Sequence, residues 1–251
     1  MTYSKNFVVT GTPRSGTTFF CNTLKTYPHV WIPEFSNIDN AEPFNPVNTV
    51  EVSNALQLPL FDQNAVVQKL IKNKTNNSAK YFGFKTFLAY HNNMSLLIEH
   101  NQLDVFVILR KNIWSVLASF LLAQDNKNYN GSSKRFSPFY YDGSNREERR
   151  IFTMFYSLCK DYWYSESVWA NHPRLVEKIY FEDLIEPGAS FEKINQYFGQ
   201  KINFDAHYTE DPIEKYFENF DHVKEIILRR VHNSKHHFLA LPQYLLTELD
   251  L

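Results

Sequence analysis

The chain has 251 residues, 43% of them hydrophobic, and its 26 Lys+Arg against 27 Asp+Glu leave a formal net charge of −1. That balance is the profile of a globular domain and excludes affinity built on neutralising many phosphates, so no nucleic-acid polymer is expected as a partner. The two cysteines, Cys21 and Cys159, have no CxxC spacing and exclude a secreted disulfide scaffold.

Without a fixed-period repeat, short β-rich runs alternate with helical ones, the pattern of a parallel sheet with crossover helices. In chain order the expected elements are a strand over Asn6–Thr10, a helix over Thr17–Thr26, a strand over Val30–Ile32 and a helix over Ala65–Asn73. A strand over Tyr81–Phe87, a helix over Asn92–Asn101, a strand over Asp104–Leu109 and a helix over Asn112–Gln124 follow. A long helix from about Arg146 to Trp169, a strand over Leu175–Tyr180 and a helix over Ser190–Phe198 come next, then tail helices over Val223–Val231 and Gln243–Leu249. The strands are short and mostly apolar, as buried parallel strands are, and the helical apolar positions recur at three and four residues. The expected fold class is α/β with a central, roughly five-stranded parallel sheet in one domain, its core about 5–205 and a helical C-terminal segment 206–251. Residues 125–145, rich in Gly, Ser and Asn, read as a long surface loop. Its Tyr129, Phe136, Phe139, Tyr140 and Tyr141 offer either a stacking wall for an acceptor or core and lid packing. The apolar run Ile113–Ala123 falls short of the roughly 20 residues of a membrane span. No membrane span is expected, and the absence of an apolar leader run predicts a cytoplasmic protein with free thiols.

Only 7 glycines occur, yet two of them, Gly11 and Gly16, fall within the segment Thr10-Gly-Thr-Pro-Arg-Ser-Gly-Thr-Thr18. A strand, tight loop and helix start in that order aim free backbone N–H groups and the positive end of a helix dipole at one point, where a phosphate or sulfate fits. An ordinary capped βα turn would have the same outline; Arg14 inside the loop favours the anion site. The segment is not GxxxxGK[ST], and the fourth strand closes on Leu109-Arg110 rather than on a carboxylate that could hold Mg²⁺, which disfavours ATP or GTP hydrolysis.

Pro13-Arg14-Ser15-Gly16-Thr17-Thr18 resembles, at every position, the P-[KR]-[SG]-G-[ST]-[ST] loop of the sulfotransferase superfamily. The resemblance implies a P-loop NTPase-like three-layer fold and a loop that holds the 5′-phosphosulfate end of the donor PAPS (3′-phosphoadenosine 5′-phosphosulfate), with PAP as product. Arg in the basic position is more like the tyrosylprotein and carbohydrate branches than the phenol and steroid branch. Arg110 closing a strand, with Ser119 nine residues on, is similar to the clamp on the donor's 3′-phosphate. That spacing is one longer than the commonest branch and leaves Ser115 as the alternative to Ser119. The stretch Lys178–Ile185, with Pro187 and Ser190–Gly199, looks like the superfamily's "YEDL…P…FLG" element, in which Glu182 and Asp183 orient core and backbone.

The resemblance implies a carboxylate or His as general base. Glu42, in Asn40-Ala-Glu-Pro-Phe-Asn45, is favoured, with Glu34 and His91 kept as alternatives. Lys85, at the end of the third strand, is placed to approach the sulfonate, and Phe87 stands where the phenol and steroid branch has its catalytic His. Lys235, Arg229 or Arg230 replaces the missing C-terminal Arg-Lys-Gly loop. The expected function is sulfuryl transfer from PAPS to a small-molecule or carbohydrate hydroxyl, without a metal. Alternatives are a tyrosylprotein-type sulfotransferase, a P-loop kinase-like phosphotransferase and a non-catalytic nucleotide-binding module.

Overall fold

The computed structural model describes residues 5–34, 42–44, 49–58, 62–76, 79–87, 94–125, 140–169, 171–186, 189–204 and 217–251. Strands β1 (Lys5–Gly11), β2 (Val30–Trp31), β3 (Tyr81–Lys85), β4 (Asp104–Leu109) and β5 (Leu175–Tyr180) form one sheet in the order β2-β3-β1-β4-β5. Every pair is parallel. The class is therefore α/β, with the loop-bearing strand β1 in the centre. The helices are α1 (Thr17–Lys25), α2 (Thr49–Ala55), α3 (Gln63–Asn76), α4 (Met94–Asn101), α5 (Ile113–Asp125), α6 (Asn145–Tyr164), α7 (Phe181–Leu184), α8 (Glu192–Phe198), α9 (Phe220–Asn233) and α10 (Gln243–Glu248).

Alternate residues of each strand face opposite layers. Phe7, Val9, Phe106 and Ile108 pack with Phe20, Cys21 and Leu24 of α1 and with Tyr197 and Phe198 of α8. Val8, Phe82, Phe84, Val105 and Val107 face the other way, against α3, α4, α5, α6 and α9. Burial on both sides explains the continuous apolar runs in the strands. Phe106 stacks on Phe198 with centroids 5.9 Å apart and meets Tyr197 edge-on at 5.2 Å, so much of the aromatic content is core.

The structure departs from the sequence expectations in particular places. Helix α2 was not expected, because TVEVSNA is poor in strong helix formers; burial of Val52 in the larger core holds it. β3 ends at Lys85 rather than Phe87, although the Thr86 N–H still donates to the Val9 carbonyl at 3.0 Å. The long helix is regular only to Tyr164 and then widens into a π-helical turn, Ser165–Trp169. That turn drives Trp169 fully into the core and brings Glu166 to Lys178 (2.6 Å) and Tyr180 (3.0 Å). Residues 126–139 of the expected surface loop, with Tyr129, Phe136 and Phe139, lie outside the described residues, as does His91. Tyr140 is exposed, whereas Tyr141 is buried in the core and exchanges two backbone hydrogen bonds with the Asn219 amide, at 3.2 and 3.0 Å. Among the described residues no helix is long and apolar enough to cross a membrane.

Asp161 is a half-buried carboxylate. On α6, burial raises the Asp161 carboxyl to about 6 against the opposing pull of Lys160. The folded state then holds this proton more tightly than the unfolded state, so stability falls as pH rises from the ordinary carboxylate range through about 6. Asp161→Asn should therefore raise Tm at pH 7.5, by on the order of 2 kcal/mol of stability, and leave it nearly unchanged at pH 4. Thermal melts at the two pH values check this.

Candidate functional site

β1 ends in the middle of the sheet, where the connections diverge towards β3 on one side and β4 on the other. Ligands of parallel α/β sheets bind outside the strand carboxyl ends at such a point. Gly11 is opposite Ile108 of β4, and a Cβ there would fall 1.9 Å from the Ile108 carbonyl oxygen. The same oxygen accepts from the Ser15 hydroxyl at 2.8 Å, which ties the loop down onto β4. Arg14 (φ 65°) and Gly16 (φ 92°) both take the left-handed region and turn the chain so that α1 starts at Thr17. At Gly16 any Cβ would lie 2.2 Å from the Phe181 ring, so this position needs glycine on two counts. The N–H groups of the first turn of α1 have no intrahelical acceptor, and the loop opens them, with the helix dipole, towards the rim. Pro13 is half-buried, Ser15 and Thr17 are buried, and the Thr18 side chain is part-exposed.

Arg14 crosses this rim and donates through Nε to the Ser119 hydroxyl at 2.9 Å, joining residues 105 positions apart. Asn112 caps α5 by accepting from the Ser115 N–H at 3.0 Å. Ser115 and Ser119 are one turn apart, and it is Ser119 that meets Arg14.

A second group enters from β3. Lys85 donates to the Thr18 hydroxyl at 2.8 Å and pairs with Glu42 at 2.5 Å; their side chains are only 2% and 12% exposed. A buried ion pair of this kind is held by good geometry and extra hydrogen bonding, and breaking one half of it is costly. The ammonium also lies over the face of the Phe87 ring, 5.2 Å from its centroid. Cys21, one turn along α1, is buried, and burial raises its thiol to about 12 despite the charge of Lys85; it is not a nucleophile.

Arg110 closes β4 on the same rim and is 5% exposed. Its carbonyl accepts from the Tyr162 hydroxyl at 2.6 Å, its Nε lies 3.7 Å from Glu182, and its guanidinium sits over the Phe181 ring at 5.2 Å. Neither Tyr162 nor Phe181 was singled out from sequence: an aromatic residue at helical spacing carries no signal of what its hydroxyl will meet.

No family model matches the chain, and no curated protein does either. A solved structure does. It is retinol dehydratase in complex with androsterone and the inactive cofactor PAP, at 12% identity over 96% of this chain and 71% of that chain, with a TM-score of 0.37. Likeness at that level assigns no role to any residue.

The remaining candidates are scattered. Glu34 has a side chain 76% exposed and pairs at 2.9 Å with Lys25, the last residue of α1, at the opposite end of that helix from Thr17. Lys235 is exposed in a 3-10 turn after α9, and its ammonium forms no ion pair among the described residues. Arg229 is exposed, and Arg230 is engaged with Glu148 at 2.5 Å. Glu148 is in the first turn of α6 and Tyr162 in its last, about 21 Å apart along the axis, so Arg230 is far from Arg110.

Proposed function

We propose that the chain is a PAPS-dependent sulfotransferase, moving the sulfuryl group by in-line displacement to a hydroxyl of a small-molecule or carbohydrate acceptor, with Glu42 as general base. The observation that carries the reading is the position of Lys85. Its ammonium supplies, from the neighbouring strand, the lysine that the loop lacks, and it stands between Thr18 of the anion-binding turn and the Glu42 carboxylate.

The donor brings an activated sulfuryl group on a 5′-phosphate and a separate 3′-phosphate. Loop N–H groups of residues 16–18 hold the 5′-phosphate, the Ser15 N–H being turned to the Thr12 carbonyl at 3.3 Å, and Arg14 and Lys85 neutralise the charge that develops on its bridging oxygen as the S–O bond breaks. Glu42 takes the proton from the attacking hydroxyl, so the acceptor is fully nucleophilic only as it reaches sulfur. Arg110 and Ser119 hold the 3′-phosphate, the first by its planar fork of donors and the second by its hydroxyl. The absence of a carboxylate at the end of β4 supports this reading over a Mg²⁺-dependent kinase.

The test is a thermal-shift comparison of PAP with ADP and Mg-ATP at equal concentration. A ligand at a hundred times its Kd adds about 2.7 kcal/mol of stability. Selective stabilisation by PAP is expected, followed by turnover with PAPS on a panel of phenolic, aliphatic and sugar hydroxyls. A preference for Mg-ATP would overturn the reading in favour of a phosphotransferase, and PAP binding without turnover would make the chain a nucleotide-binding module. Arg110→Ala should lose its preference for PAP over ADP; equal discrimination before and after would remove Arg110 from the 3′-phosphate clamp.

A further inference from the structure

Phe181-Glu182-Asp183 follows β5 directly and grips the turn between β4 and α5 at several points. The Glu182 carboxylate accepts the Lys111 N–H at 3.1 and 3.0 Å and the Asn112 N–H at 3.4 Å, and it lies 3.7 Å from Arg110 Nε. Asp183 pairs with the Lys111 ammonium at 2.5 Å, and the Phe181 ring supports the Arg110 guanidinium. Tyr162 holds the Arg110 carbonyl from the other side. A guanidinium that is almost wholly buried needs a counter-charge, and a flexible side chain needs an orienting partner before it can offer two parallel donors to a phosphate. Glu182 supplies the counter-charge 3.7 Å from Nε, a charge contact rather than a hydrogen bond, the Phe181 ring backs the guanidinium, and the main-chain hydrogen bonds to Glu182 prevent its carboxylate from swinging away.

Resting on the donor reading above, we infer that Glu182 is the positioning residue of the donor site, a fixed internal counter-ion that presents Arg110 in the orientation which distinguishes a 3′-phosphorylated nucleotide. Discrimination then belongs to the Glu182–Arg110 pair rather than to Arg110 alone. The sign of the effect separates positioning from plain electrostatics. Removing a negative charge beside an anion site strengthens attraction for every anionic nucleotide alike, whereas disorienting Arg110 weakens the 3′-phosphorylated one selectively.

Calorimetric Kd values for PAP and ADP in wild type, Glu182→Gln, Glu182→Ala, Arg110→Ala and the double variant Arg110→Ala/Glu182→Gln test this. The PAP-to-ADP preference should fall about tenfold in the Glu182 variants, with ADP affinity held or increased. In the Arg110→Ala background the Gln substitution should add nothing, because a pair that acts as a unit is lost once. Glu182→Gln keeps an oxygen for the turn, so it tests the charge even where Glu182→Ala fails to fold. A preference that survives in Glu182→Gln, or one that falls equally with and without Arg110, overturns the inference alone. A wild-type chain that binds PAP no better than ADP overturns the donor reading and this inference together.

Discussion

Glu42→Gln is expected to lower kcat with PAPS by at least about a hundredfold while PAP binding persists, because the substitution removes the proposed base but none of the groups proposed to face the donor's phosphates. The side chain is 12% exposed and pairs with Lys85 at 2.5 Å, so the carboxylate sits where the Gly11–Thr18 turn, the β3 cation and the rim of the sheet converge. The amide leaves the buried Lys85 ammonium without its counter-charge, which should cost on the order of a few kcal/mol and lower Tm. Adding Lys85→Met to Glu42→Gln should recover much of that Tm without recovering activity, and the pair of measurements separates folding from chemistry. Glu34→Gln is the comparison. A hundredfold loss there, with Glu42→Gln fully active, would transfer the role to Glu34.

Gly11→Ala should cost more than about 4 kcal/mol and lower Tm by on the order of 10 °C or more, or prevent accumulation of folded protein altogether. The added methyl would fall 1.9 Å from the Ile108 oxygen and 2.9 Å from its carbonyl carbon. Neither neighbour can give way cheaply, since Ile108 lies in the central β1–β4 ladder and its oxygen also accepts from Ser15. Urea and thermal unfolding measure the loss. A Tm within about 2 °C of wild type would mean that β1 and β4 do not run in this register.

Several parts of the fold are legible in the sequence. The five strands, the helix after the loop and the two tail helices lie within a few residues of where periodicity put them, because short apolar runs and three-to-four spacing report burial directly. Helix α2 was missed because its local sequence argues weakly for a helix and its stability comes from Val52 in the core. The π-helical turn after Tyr164 was missed for a related reason: inserting Trp169 into the core and pairing Glu166 with Lys178 are long-range demands that do not disturb the local pattern.

In the site itself, residue types were readable and partners were not. The turn from Gly11 to Thr18 is legible through its glycines, its proline and its hydroxyls, all local conformational requirements. That Arg14 meets Ser119, that Lys85 meets Glu42 and Thr18, and that Glu182 meets the turn after Arg110 depends on β1 lying between β3 and β4 and on β5 lying beside β4.

The sequence by itself thus determined an α/β chain with a strand, a tight glycine-bearing turn and a helix at its start, and an arginine closing a later strand. Only the tertiary structure decided which cation stands at the loop and which carboxylate stands beside it. It brought Glu42 to Lys85 and left Glu34 with Lys25 at the far end of α1. The physical reason is range. Backbone conformation and burial periodicity are set within a few residues, whereas charge pairs joining residues tens of positions apart exist only once strand order and register have brought the strand ends together.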